Sequence, residues 1–184
     1  MRIVGGRLKG RALKSPGSDA IRPTADRLRE TVFNILAHSY GNPVAGARVI
    51  DLFAGTGAMA IEALSRGASF ALLVDQSAQA CAIIRANFAA LDLAGTARIV
   101  RRDARKLGAA AEGGSFSLAF LDPPYGRDLV PPTLVALRDG GWLGKDALVV
   151  IEERAGAEVT LPEGFNLRET RRFGVTQIMF AYFN

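Results

Sequence analysis

The segment FLDPPYG, residues 120–126, combines residue types that can hold an amino group. Two consecutive prolines give a stiff backbone without N–H donors, so nearby carbonyl oxygens stay free to accept hydrogen bonds. Asp122 adds a carboxylate acceptor, and Tyr125 offers an aromatic face on which a flat ring can stack. We therefore take Asp122, Pro123, Pro124 and Tyr125 as a candidate catalytic site for an exocyclic amine. A Pro-Pro turn without chemistry is the alternative.

A second segment, VIDLFAGTGAMAIEAL at residues 49–64, carries glycines at the spacing of a nucleotide-binding loop. Gly55 and Gly57 permit a tight turn and a close approach of the backbone to a ligand, although two glycines alone fit a packing loop nearly as well. The pattern Gly55-x-Gly57-x-x-Ala60 fits a dinucleotide. Asp51, four residues before Gly55, instead favours a ligand with an ammonium group, because it would repel a pyrophosphate.

Acidic residues also end the next two predicted strands. Asp75 lies 18 residues after Gly57, near the spacing of about 20 expected for an acid that holds ribose hydroxyls. Asp103 could accept a hydrogen bond from an adenine amino group, and a solvated strand-end carboxylate is the alternative. Both NAD and S-adenosylmethionine contain adenosine. Only S-adenosylmethionine lacks phosphate and carries an ammonium and a sulfonium, so the acids favour it.

From residue 47 onward, apolar strand-like segments alternate with helical ones. The predicted strands are ARVIDLFA, SFALLVD, ARIVRRD, FSLAFLD and ALVVIEE. The predicted helices are GAMAIEALSRG, SAQACAIIRANFAALDL, a short one near ARKLGAAAEGG, and PPTLVALRDGG. Strands that are buried on both faces and alternate with helices indicate an α/β fold with a doubly wound parallel sheet. The last two segments, on either side of Gly174, predict an antiparallel hairpin on the sheet edge.

The strand-end acids should therefore lie together, because ligands of open parallel sheets bind beyond the carboxyl ends of the strands. Asp51, Asp75, Asp103 and Asp122 end the first four predicted strands in turn. A sheet without a ligand site would not be expected to carry an acid at the ends of four successive strands.

The positive charge of the chain is concentrated at its beginning. Residues 1–22 contain six basic residues and one acidic residue, which accounts for the whole net charge of +5. We predict a short hairpin or extended arm there that meets a polyanion, with a solvated tail as the alternative. Residues 23–41 predict a helix with Thr24 as N-cap and one apolar face. Three arginines, Arg22, Arg27 and Arg29, are left for solvent or a ligand.

Four segments together resemble the bacterial 16S rRNA guanine-N2 methyltransferases of the RsmD type. They are RIVGGRLKGR, RPTADRLRETVFNIL, DLFAGTGAMAIEALSRGA and DPPY. The glycine loop is common to many methyltransferases, and Asp-Pro-Pro-Tyr is shared with DNA adenine enzymes, so the first two segments are the more specific. The resemblance implies a Rossmann-like class I methyltransferase with a mostly parallel, seven-stranded sheet. It also implies S-adenosylmethionine as cofactor and 16S rRNA, in the small ribosomal subunit or its assembly intermediate, as partner.

The same resemblance implies roles for individual residues. The implied cofactor-binding residues are Asp51, Phe53, Gly55, Gly57, Asp75, Gln76, Asp103 and Ala104. The amino-group site falls on Asp122 to Tyr125, and direct transfer to N2 of guanine is the implied reaction. The expected RNA-binding residues are Arg7, Lys9, Arg11, Arg22, Arg27 and Arg29. Residues 140–184 receive no assigned site.

Length and composition limit the other possibilities. At 184 residues the chain is expected to form one domain, with the arm at 1–22, the helix at 23–41 and the core at 47–184. It contains no segment typical of a membrane span or signal peptide, so a cytoplasmic protein is expected, as a monomer. Cys81 and His38 are single, which argues against a disulfide, a metal site or a Ser-His-Asp triad.

Three other functions remain open from the residues alone. A DNA adenine-N6 or other RNA amino-methyltransferase would use the same Asp-Pro-Pro-Tyr motif. An NAD-dependent oxidoreductase fits the glycine spacing but lacks an evident acid–base group. An RNA-binding assembly factor without activity fits the basic arm but leaves the strand-end acids unexplained.

Overall fold

The computed structural model describes residues 1–16, 23–111 and 114–184. Its seven strands within these ranges are β1 (Arg48–Leu52), β2 (Phe70–Asp75), β3 (Ala97–Arg101), β4 (Phe116–Leu121), β5 (Leu143–Arg154), β6 (Phe165–Phe173) and β7 (Thr176–Phe183). The helices are α1 (Pro23–Ser39), α2 (Ala58–Ser65), α3 (Ala78–Ala90) and α4 (Val130–Asp139), with short 3₁₀ turns at Gly6–Leu8 and Ala104–Lys106. Among the described residues, none of the helices has the length and apolar character needed to cross a bilayer.

All seven strands belong to one sheet, in the order β3-β2-β1-β4-β5-β7-β6. The first five strands of that order are parallel, while β7 runs antiparallel to both β5 and β6. The strand order reverses between β1 and β4, and this is where an open sheet leaves a crevice for a ligand. The predicted α/β fold with its C-terminal hairpin is confirmed.

Helices cover both faces of the sheet, because its central strands are apolar on both sides. Helices α1, α2 and α3 pack on the face that carries Val49, Leu73 and Phe120. Helix α4 packs on the opposite face, with Ile50 and Leu121. The side chains of β1 from Val49 to Leu52 are at most 2% exposed, so the strand is fixed in register and presents Asp51 at a defined point.

The described part of the N-terminal arm, residues 1–16, is docked on α2 and α3. Its apolar side chains Ile3, Leu8 and Leu13 are buried in the same cluster as residues of both helices. The hairpin expected here is confirmed by an antiparallel bridge between Arg2 and Ala12. The arm is therefore part of the folded body.

Docking of the arm requires glycine at position 6, because the backbone there passes very close to the end of α2. Gly6 has φ +72°, and a Cβ atom there would lie 2.0 Å from the carbonyl oxygen of Ser65. The Ser65 hydroxyl accepts a hydrogen bond from Leu8 N at 2.9 Å and donates one to Gly5 O at 2.6 Å. Only glycine can pass so near the end of α2.

A buried ion cluster joins the arm, α1 and α2. Glu62 is fully buried and accepts hydrogen bonds from Arg66 Nε at 2.8 Å and from Val4 N at 2.9 Å. Arg29 Nε lies 3.5 Å from the same carboxylate, and another nitrogen of Arg29 bonds Asp26 at 2.9 Å. Arg29 is only 4% exposed. The expectation that Arg29 is free for solvent is therefore wrong, because Glu62 and Asp26 engage it; it nevertheless lines the second of the cavities described below.

Two local expectations also change. Of the short helix expected near residues 104–114, the described part, 104–111 and 114, contains only the 3₁₀ turn Ala104–Lys106. Asp103 caps this turn by accepting a hydrogen bond from Arg105 N at 2.9 Å. Helix α1 begins at Pro23, so Thr24 lies inside its first turn instead of preceding it. Proline is well suited to that position, since its fixed φ is helical and its missing N–H has no partner there.

Candidate active site

The carboxyl end of β1, with Asp51, and the loop that leads to α2, with the two glycines, lie at the centre of the sheet edge. Asp51 is 2% exposed, and its Oδ2 accepts a hydrogen bond from Ala60 N, in α2, at 3.1 Å. Phe53 adopts a left-handed backbone, with φ +61°. Gly57, with φ +78°, is the N-cap of α2, and a Cβ there would lie 3.0 Å from Leu73. Gly57 therefore serves close packing of the helix on the sheet.

Asp75, at the end of β2, fixes this loop against the next helix. Its Oδ2 accepts a hydrogen bond from Gly55 N at 2.9 Å, and its Oδ1 accepts one from Ser77 N at 2.8 Å. Ser77 is the N-cap of α3 and accepts from Ala80 N at 3.3 Å. Each carboxylate oxygen retains a second acceptor position for a ligand hydroxyl.

Beyond β3, Asp103 and Ala104 extend the same edge. Both oxygens of Asp103 are engaged by the guanidinium of Arg105, at 3.0 and 2.7 Å. These hydrogen bonds lower the pKa of Asp103, so the group is a carboxylate that can still accept one further bond. Ala104 is buried, whereas Gln76 is exposed at the rim.

The corner formed by Asp122 to Tyr125 follows β4 directly. Among the described loop residues, no backbone N–H bonds the carbonyl oxygen of Asp122 or Pro123. The Tyr125 hydroxyl donates to Glu152 Oε1 at 2.5 Å and lies 3.0 Å from the hydroxyl of Thr176. These contacts fix the tyrosine ring, while Asp122 is exposed to the cavity described next.

Two adjoining cavities open on this edge. The first, of about 760 Å³, is lined by Phe53, Asp75, Gln76, Asp103, Ala104 and the whole Asp122 to Tyr125 corner. The second, of about 620 Å³, lies under α1 and is lined by Asp51 and Gly55. Phe53, Asp122 and Glu152 line both. The structure thus brings together all the predicted cofactor and catalytic residues except Gly57, which lines neither of these cavities.

Three acids of this edge, unlike Asp103, lack basic partners. Among the described residues, Asp51, Asp122 and Glu152 form no ion pair. Burial, aided by the charges of Asp122 and Asp75, raises the pKa of Asp51. Solvent reaches Asp122, but the surrounding protein limits its hydration and, together with two glutamates, raises its pKa to about 7. Burial also raises the pKa of Glu152. We call these three residues the acid row; they lie on or just beyond β1, β4 and β5.

The sequence prediction missed Glu152 and Thr176. Glu152 lies near the carboxyl end of β5, the strand that pairs with β4. The available signal was a charged residue inside the apolar segment ALVVIEE, at the same edge as the other strand-end acids. Thr176 gave no signal, since its role depends on β7 lying beside β5.

The residues expected to bind RNA divide into three groups. Arg7, Lys9 and Arg11 are exposed on the arm, and Arg27 is exposed on α1. Arg29 is buried, as described above. Arg22 lies outside the described residues.

Nearly the whole chain matches the model of a protein family. The model of the family described as Conserved hypothetical protein 95 matches residues 1–182. The chain belongs to this family. Its relatives include Ribosomal RNA small subunit methyltransferase D of Escherichia coli (strain K12), 38% identical over 175 residues, which are 95% of this chain and 85% of that protein. The Haemophilus influenzae protein of the same name is 28% identical over 177 residues, or 95% and 90% of the two chains.

Solved structures agree with this membership of the Conserved hypothetical protein 95 family. The Escherichia coli protein yhhF superposes with a TM-score of 0.83 at 33% identity, covering 100% of this chain and 98% of that one. The predicted resemblance and the enzyme class, a methyltransferase, are confirmed by these relatives.

Proposed function

We propose that this protein transfers a methyl group from S-adenosylmethionine to the N2 amine of a guanine in the 16S rRNA of the small ribosomal subunit. The observation that carries the proposal is the acid row, which has no basic partners among the described residues and meets the Asp-Pro-Pro-Tyr corner. Relatives named for methylation of small-subunit rRNA support the choice of substrate.

The site residues fit a cationic donor better than a pyrophosphate. Raised carboxyl pKa values indicate a site where negative charges lack compensation, and a ligand with an ammonium and a sulfonium would supply it. Asp51 and the Gly55 loop would hold the amino-acid end of that ligand. Asp75 would accept the ribose hydroxyls, and Asp103 the adenine amino group.

When bound, S-adenosylmethionine supplies an electrophilic methyl group on a sulfonium, which is already a good leaving group and needs no metal ion. The guanine amine is a poor nucleophile because its lone pair is delocalised into the ring. Asp122 and the adjacent proline carbonyl would accept its two N–H hydrogens and orient the nitrogen. As the N–C bond forms and the S–C bond breaks, one N–H proton must leave. The pKa of Asp122, about 7, suits it to accept that proton.

The target guanine must leave its stack to reach this corner. Tyr125, held through its hydroxyl, would present its ring to the base. The exposed cations Arg7, Lys9, Arg11 and Arg27 would contact RNA phosphates. We infer that the protein does this in the cytoplasm as a monomeric, single-domain enzyme.

Transfer of labelled methyl to small-subunit particles from cells that lack this gene tests the proposal. We expect label in N2-methylguanosine after digestion to nucleosides, and about 10²–10³-fold slower labelling with the matched Asp122→Asn variant. Label in methyladenosine or methylcytidine would contradict the guanine assignment. Preferential labelling of duplex DNA would instead support an adenine-N6 enzyme.

A further inference from the structure

Glu152 lies beside the amine-binding corner without a role in the reaction proposed above. In the β4–β5 ladder, Phe120 pairs with Val150 and Leu121 with Ile151. Continued by one residue, this register sets Asp122 opposite Glu152. Neighbouring strands are about 4.8 Å apart, so the two carboxyl groups can reach adjacent atoms of one ligand.

One oxygen of Glu152 is engaged and the other is available. Oε1 accepts the hydrogen bond from Tyr125 at 2.5 Å. Oε2 accepts no hydrogen bond from the residues the structure describes, and Glu152 lines both cavities. The Tyr125 hydrogen bond, backed by Thr176, holds the glutamate in place. Glu152 therefore presents a positioned acceptor next to Asp122.

Two neighbouring carboxylates suit one kind of base edge. Guanine carries its N2 amine next to the N1–H group, so its edge offers donors side by side. Adenine and cytosine carry their amines next to a ring nitrogen that is itself an acceptor, which a carboxylate would repel. A buried acceptor left without its donor costs binding energy, and sites built on such bonds reject the analogue that lacks the donor.

We propose that Glu152 accepts a hydrogen bond from N1–H of the target guanine while Asp122 holds the N2 amine, so that Glu152 selects guanine over other amino-bearing bases. This rests on the proposed function. It adds a specificity-determining residue on β5, and it explains how an Asp-Pro-Pro-Tyr corner, which serves for any exocyclic amine, can be restricted to guanine.

The test compares guanine with 2-aminopurine at the target position. 2-Aminopurine keeps the amine but has an acceptor at N1. The methylated position is first located by mass spectrometry of the wild-type product, and rRNA with either base there is prepared by ligation and assembled into particles. We expect wild-type kcat/KM to favour guanine by about 100-fold or more.

Glu152→Gln keeps the size of the side chain and an oxygen for Tyr125, but it offers an N–H₂ donor to N1 of 2-aminopurine. We expect Glu152→Gln to lower the ratio of kcat/KM for guanine to kcat/KM for 2-aminopurine by at least about tenfold. Glu152→Ala should remove most of the preference, since neither base then finds a partner at N1. The matched control, Thr176→Val, also removes a hydrogen-bond partner of Tyr125 but should lower turnover on both bases alike and leave the ratio unchanged.

The possible results separate the two proposals. An unchanged ratio in both Glu152 variants, with active wild type, would overturn the role of Glu152 alone. A ratio that Thr176→Val alters as much as Glu152→Gln does would also overturn it, because the effect would then come from the Tyr125 position. Failure of the wild type to methylate guanine at all would instead count against the proposed function.

Discussion

Two sets of acidic side chains in this protein differ in whether basic groups compensate their charge. Glu62 is fully buried where the arm meets α1 and α2, and it is met by Arg66, Arg29 and the N–H of Val4. The acid row of Asp51, Asp122 and Glu152 has no basic partner among the described residues, and its pKa values are raised.

The difference separates an acid that holds the fold from acids that await a ligand. A buried ion pair is costly to break, so it stabilises the fold, but its acid has no uncompensated charge left for a ligand. Unpaired carboxyl groups make the protein without its ligand less stable, and this cost is recovered when a cation binds between them. Perturbed pKa values at a cleft are typical of functional sites for this reason.

Glu62→Gln should give the largest effect on stability, because it leaves the half-buried Arg66 without an acidic partner and the buried Arg29 with Asp26 alone. We expect a loss of about 3–5 kcal/mol in the free energy of unfolding, measured by urea denaturation. Methyl transfer per folded molecule should persist. Glu30→Gln, on the exposed side of α1, is the control and should change stability little. Equal effects of the two variants would contradict the comparison.

Asp122→Asn should give the largest effect on activity with little effect on the fold. Loss of the charged acceptor should lower kcat by about 10²–10³-fold, while donor affinity measured by calorimetry stays within a few fold. A variant with normal turnover would remove Asp122 from the proposed mechanism.

The same variant should be more stable than the wild type at high pH. The pKa of Asp122 is about 7 in the folded protein against about 3.9 unfolded, so the folded state binds more protons between these values. The ionised Asp122 carboxylate therefore destabilises the folded wild-type protein increasingly as pH rises through that range, and the effect is complete above pH 7. Allowing for solvent at Asp122, we expect a gain of about 1 kcal/mol, or about 2–4 °C in Tm, at pH 8. Scanning fluorimetry at pH 5 should show a smaller gain.

Methyl-transfer activity should increase with pH over the range in which the ionisation of Asp122 makes the folded protein less stable. Asp122 must be deprotonated to accept the amine hydrogens, so kcat/KM for RNA should fall as pH drops below about 7. Wild-type rates that stay flat down to pH 5 would show that this carboxyl does not need to ionise.

Substitutions of single exposed cations in the arm should give the smallest effects, because each removes one positive charge from the contact with RNA phosphates. Because the arm is docked through Ile3, Leu8 and Leu13, deletion would damage the fold, so single substitutions are the better test. Arg7→Gln or Lys9→Gln should each reduce the slope of log K against log salt by about 0.7–0.9 for every phosphate that the variant no longer neutralises. Lys145 is exposed near the start of β5, at the other end of that strand from Glu152. The matched control, Lys145→Gln, should leave the slope unchanged.

Local patterns were sufficient to predict the sheet and most of the site. Strands such as FALLVD are apolar up to their last residue, and Asp51, Asp75, Asp103 and Asp122 each lie at or just beyond the carboxyl end of one strand, so topology alone brings them to one edge. The DPPY corner carries its chemistry in four consecutive residues.

The remaining features depend on contacts between residues far apart in the chain. Arg29 looked free because one of its two acidic partners, Glu62, lies in another helix. Glu152 was missed because its hydrogen bond to Tyr125 spans 27 residues and its position opposite Asp122 follows from strand pairing. The helix expected near residue 104 stops after three residues, and Gly108, with φ +71°, follows just beyond.

The residues shared by the two cavities have a practical consequence. Phe53, Asp122 and Glu152 line both cavities, so, on the proposed function, a single bisubstrate inhibitor that joins the methyl donor to the target base could extend into both. An uncharged thioether linker would forgo the attraction of the acid row, whereas an amine linker, protonated at neutral pH, would retain it.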